Sequence, residues 1–165
     1  MPVGQNSPPS GRGKPAVMLG ASFSSHRIDP MKTKPSLELA DLKAIAGAAE
    51  AEALKNNWAV SIAIVDDGGH LLWLQRLDGA APISAHIAPA KANTAALGRR
   101  ESKVYEDMVN GGRVSFLSAP DLKGLLEGGV PILKDGQCLG AVGVSGVKST
   151  EDAQIARAGI AAIGL

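Results

Sequence analysis

Apolar residues recur at three- and four-residue steps at Leu39, Leu42, Ile45, Ala49 and Ala53, the spacing that gathers them on one face of a helix. Ser36 stands before them as an N-cap and Glu38 falls in the first turn, so a helix is predicted from there to about Lys55. The period then changes to two. Val60, Ile62 and Ile64 alternate with smaller residues, Asp66-Asp67-Gly68-Gly69 supplies turn residues, and His70 to Leu77 reads as the returning strand of a β-hairpin. An alanine-dense stretch follows. It predicts a helix from about Ala88 to Leu97, with Pro89 in the first turn, where a missing N–H is tolerated. Shorter helical pieces are expected over Glu101 to Val109 and, as a single turn, over Asp121 to Leu126.

Residues 127–146, EGGVPILKDGQCLGAVGVSG, read as two more strands joined by a turn at Asp135-Gly136. Strand interiors disfavour glycine, which adds chain entropy and packs nothing. Gly140, Gly143 and Gly146 in one short strand therefore imply that a helix or a ligand lies close against the backbone. A last helix is predicted from Thr150 to Ile163, with Thr150 as cap and Glu151 and Asp152 in its first turn. The order is helix, hairpin, helices, hairpin, helix. Sequential hairpins imply antiparallel pairing, which makes this an α+β fold rather than a parallel βαβ one.

Composition and charge narrow the function classes. At 165 residues the chain has one globular domain by length, and with aromatics at 3% the core must be built from Ala, Val, Ile and Leu. Few aromatics also means few stacking platforms for single-stranded nucleic acid. Residues 1–35 hold five basic groups against one acid, while the remainder holds twelve against fifteen. The domain over 36–165 is thus mildly acidic, which argues against a nucleic-acid partner. The tail over 1–35 is basic, rich in Pro, Gly and Ser and without periodicity, and is expected to be disordered. Arg12 and Lys14 before PAVMLGASF form a weak secretory pattern, set against a cytoplasmic location as the main expectation. Translation starting at Met31 is a further reading of the tail. No apolar run approaches the length of a membrane span. Cys138 is the lone cysteine, so the fold stands without an intrachain disulfide.

Four segments together resemble a known family: VSIAIVDDGGHLLWLQRLDGA, AKANTA, GGVPI and GAVGVSGVKSTEDAQIARAG. Residues 36–165 are similar to the GlcG/HbpS-like family, the haem-binding domain of unknown function 336. The same domain forms the C-terminal part of PduO-type corrinoid adenosyltransferases. The resemblance implies a profilin-like fold with a five-stranded antiparallel sheet flanked by helices, assembled as a higher homo-oligomer. It also implies haem as a cofactor, and Thr94 within AKANTA matches a position tied to haem binding in related proteins.

His86 is the leading candidate for an axial ligand to haem iron, because neutral imidazole is the usual protein donor. It precedes the Lys91–Thr94 segment, and Ile87, Ala88 and Ala90 are expected to wall a porphyrin. His70, at the strand entrance, is a second candidate, with a water-facing turn histidine as its bland reading. Lys91 and Thr94 are three apart on one helical face and are expected at the polar edge of a ligand, Lys91 meeting a carboxylate. The alternative is a solvated helix face. Gly140 and Gly143 would let the ligand approach the sheet. The acids of Asp66-Asp67 and Asp78-Gly79 are explained by turn chemistry. Spacings typical of zinc sites are lacking. Three readings follow: a small-molecule or haem-binding protein, an enzyme acting on a small carboxylic or hydroxy acid with Lys91 and a histidine, or a ligand-free scaffold subunit.

Overall fold

The computed structural model describes Met1, Gly4, Met31 and residues 33–165. The chain divides into two units, Met1–Lys32 and Thr33–Leu165. The expected disordered tail and the secretory pattern fall almost wholly outside the described residues.

In chain order the second unit forms α1 (Leu39–Lys55), β1 (Ser61–Asp66), β2 (Leu71–Arg76), α2 (Ser84–Gly98) and α3 (Lys103–Asn110). A 3-10 turn (Val114–Ser118), β3 (Gly129–Lys134), β4 (Gln137–Ser145) and α4 (Ser149–Ala161) complete it. The strands make one sheet in the order β2-β1-β4-β3, with every neighbouring pair antiparallel. The α+β class holds. Among the described residues the sheet has four strands, not the five that the family resemblance implied.

Period-two alternation sets the layers. Ile62 and Ile64 of β1, Val130 and Ile132 of β3, and Val142 and Val144 of β4 share a core with Leu42, Ile45 and Ala49 of α1 and Ile155 and Ala156 of α4. Burying each such Ile or Val stabilises by about 1.5–3 kcal/mol. On the other face Val65 and Ala141 meet Ala92, Ala95 and Ala96 of α2. That face is built of small residues, so α2 settles almost onto the sheet backbone. A Cβ at Gly143 would collide with the Ala88 carbonyl oxygen and come within 2.6 Å of the Ala92 nitrogen. At Gly143 the close neighbour is therefore a helix, whereas at Gly140 and Gly146 it is backbone of β1 and its lead-in, Val65 and Ala59.

Four local expectations need correction. α1 is capped at Glu38, whose N–H donates to Asp41 Oδ2 at 2.8 Å, not at Ser36. α2 begins at Ser84, not Ala88, so Pro89 lies inside the helix rather than in its first turn. Ser84 is held by tertiary contacts: its Oγ lies 2.7 Å from Ser61 Oγ in β1 and donates to the Ala81 carbonyl at 2.6 Å. Packing on the sheet outweighs the backbone bond that Pro89 forfeits. The single turn expected over Asp121 to Leu126 is absent, and the 3-10 turn lies earlier, over Val114–Ser118. The last helix is entered through Lys148 and Ser149, where the Lys148 N–H donates to the Glu151 carboxylate at 3.1 Å.

Candidate ligand site on the outer flank of α2

α2 sorts the predicted site residues onto different faces. Ile83 precedes it, and His86, Ala90, Asn93 and Leu97 follow at steps of three and four, forming one outward stripe. His86 is exposed on that stripe. Leu72 and Leu74 of β2 are exposed at 41% and 44%. Leu74 is paired with Ala63, whose side chain lies on the α2 side of the sheet. Trp73 alternates to the opposite side and packs with the α1 and α4 core, and Gln75 Nε2 donates to Glu50 of α1 at 2.7 Å. The α2 flank thus carries exposed aliphatic surface from the edge strand and from Ile83, which is 60% exposed, with an imidazole beside it.

Lys91 and Thr94 turn the other way. Lys91 Nζ donates to Asp152 Oδ2 at 2.8 Å and to the Val144 carbonyl at 3.0 Å. Thr94 Oγ1 is buried and accepts the Gly124 N–H at 3.1 Å. Their polar atoms are engaged by the protein, so the expected contact of Lys91 with a ligand carboxylate gives way to an internal ion pair. Burial raises the Asp152 carboxyl above its ordinary 3.8, with the Lys91 ammonium pulling against it. Of the wall expected beside His86, Ala88 is fully buried against the sheet, which leaves the partly exposed Ile87 and Ala90.

Gly140 and Gly143 admit protein, not ligand. α2 covers Gly143, and a side chain at Gly140 would strike the Val65 carbonyl oxygen. Cys138 is buried beside this strand, its Sγ 3.4 Å from the Gly140 carbonyl, and burial pushes its thiol up.

His70 stands at the β1–β2 turn. The carboxylate of Asp66 can only accept, so His70 Nδ1 carries the proton that it shares with both Asp66 oxygens, each at 3.1 Å. Asp66 Oδ1 also accepts the Gly68 and His70 backbone N–H groups, both at 2.9 Å, as the turn reading of these acids required. Burial would raise the Asp66 carboxyl, but these donors outweigh it and hold the group below its ordinary 3.8.

Sequence reasoning missed two partners. Asp152 had a sufficient local role as an acid in the first turn of α4; the signal for its second role was a lysine set among buried alanines, which needs a carboxylate. Asn93 drew no attention, although it lies two turns from His86 on the same stripe. Among the described residues no cluster of three or more His, Cys, Asp or Glu could hold a metal ion, and no helix is long and apolar enough to cross a membrane.

Comparison with known proteins places the architecture. Residues 37–161 match the family of haem-degrading HbpS-like proteins. Protein GlcG of Escherichia coli is 61% identical over 115 residues, covering 70% of this chain and 85% of GlcG. A crystal structure of HbpS superposes with a TM-score of 0.75 at 31% identity, covering 82% of this chain and 96% of that one. A crystal structure of a PduOC–haem complex gives a TM-score of 0.70 at 30% identity, covering 78% and 95%.

Proposed function

This chain belongs to the HbpS-like family, and on that basis and the character of the α2 flank we propose that it binds haem or a similar flat, anionic cofactor. The observation that carries the reading is the exposed apolar surface of Leu72, Leu74 and Ile83 on the flank that also presents His86. A porphyrin needs apolar contact for its faces and a neutral imidazole for its iron, and this flank offers both. His86 is proposed as the iron ligand; His70, the second candidate, lies at the far end of the same flank, beside Asn93 and Leu97. The structure solved with haem bound in a related domain, PduOC, supports the same reading.

A flank this open covers one face of a flat ligand. We infer that a second copy of the chain covers the other, in a homo-oligomer, because exposed aliphatic surface of this kind marks an interaction site. Titrating the purified protein with hemin tests the binding. A sharp Soret band that saturates near one haem per chain is expected, and it should weaken in a Leu72→Glu/Leu74→Glu variant. A broad band that never saturates would overturn the proposal and leave the scaffold reading in its place.

A further inference from the structure

Asn93 Oδ1 is the only buried side-chain oxygen or nitrogen without a hydrogen-bond partner among the described residues. Its companion Nδ2 points at the Gly69 carbonyl, 3.4 Å away. A carbonyl can only accept, so the amide nitrogen must face it, and turning the amide over would not cure the orphaned oxygen. The turn is fitted to this side chain. Gly69 has φ +80°, and a Cβ there would collide with Asn93 Nδ2. An acceptor held in this way and left unpaired calls for an explanation.

Asn93 lines a cavity of about 350 Å³ together with Gly69, His70, Leu97, Asp121 and Lys123. His70 Nδ1 donates to Asp66, so Nε2 of the neutral ring is an acceptor. The Asp121 carboxylate is another, on a backbone of φ +63°. The lining therefore offers three acceptors and one cation, the Lys123 ammonium.

We propose that this cavity binds a small carboxylate carrying a hydrogen-bond donor, an ammonium or a hydroxyl, on the neighbouring carbon. Lys123 takes the carboxylate, and the donor supplies the proton that Asn93 Oδ1 lacks, with His70 Nε2 accepting beside it. Asp121 favours an ammonium over a hydroxyl. Asn93 Oδ1 is buried, so binding requires the exposed side chains of Leu97 and Lys123 to move aside before the ligand's donor reaches it. This site does not rest on the haem reading, in which His86 is the leading donor.

The test is calorimetric titration of the whole chain with L-alanine, L-lactate and propionate, which share one carbon skeleton. Alanine or lactate is expected to bind in the millimolar range or tighter, and propionate at least about tenfold more weakly. Alanine the tighter identifies an ammonium ligand, and lactate the tighter a hydroxyl one. Asn93→Leu is expected to weaken binding about tenfold or more while Tm stays level or rises, because it removes an unpaired buried acceptor. Lys123→Ala, at an exposed position, should weaken all three ligands without unfolding the protein. His86→Ala should change none of them. The proposal is overturned if propionate binds as well as the others, if none binds, or if Asn93→Leu and Lys123→Ala both bind like the wild type.

Discussion

Lys91 Nζ and Asp152 Oδ2 lie 2.8 Å apart with side chains 4% and 2% exposed, and their ion pair ties α2 to α4 past the end of β4. The Val144 carbonyl and the Val147 N–H complete the arrangement, the latter donating to Asp152 Oδ1 at 3.2 Å. Removing one partner leaves the other charge buried and unpaired. Lys91→Met or Asp152→Leu alone is expected to cost about 3–5 kcal/mol in urea unfolding, whereas the double variant should recover most of that loss. A double variant no more stable than either single one would contradict this.

Gly143 and Gly47 should respond to alanine in opposite directions. Gly143 lies under α2, where an added methyl would meet the helix backbone and Ala92 Cβ, so Gly143→Ala should destabilise by about 3 kcal/mol. Gly47 is exposed in α1 with nothing within 4 Å of the added carbon, and Gly47→Ala should stabilise by about 1 kcal/mol through helix propensity. Thermal unfolding of the two variants checks both signs.

Asp66 makes the β1–β2 turn sensitive to acid. Its carboxyl is depressed below 3.8 in the folded state, so its contribution to stability is present above that value and is lost as the pH falls through the folded pKa. Asp152 is shifted the other way. Its contribution favours the fold in acid and is lost as the pH rises through the raised value. The amide resonances of Gly68 and His70 should therefore move together below pH 3.8, and Asp66→Asn should abolish the transition.

Cys138 should be inert in the folded protein. Its thiol is buried and its pKa raised by that burial, so thiolate is scarce and sheltered. Reaction with a chromogenic disulfide is expected to run at least about a hundredfold slower in buffer than in denaturant, limited by opening of the sheet. Equal rates would mean that the β3–β4 region is open.

Local chemistry made much of the fold legible. Asp135 and Gly136 carry positive φ of 49° and 74°, the two-residue hairpin turn that an Asp-Gly pair specifies. The alternation of Ile62 and Ile64 marked a strand with one apolar face, the face that meets α1 and α4. Long-range packing was not legible. Lys91 finds its partner 61 residues away, and Asp152 already had a local explanation. Pro89 argued for a later start to α2 because the gain from docking Ser84 on Ser61 lies outside any local window. The glycines of β4 announced a close neighbour without saying whether it was helix or ligand, since both demand the same missing side chain.

The proposed binding of haem on the α2 flank through His86 is tested by the visible spectrum of hemin titrated into wild-type and His86→Ala protein. A saturable Soret band is expected in the wild type, with the band shifted and the affinity about tenfold weaker or worse in the variant. The same band position and the same affinity in both proteins would contradict it.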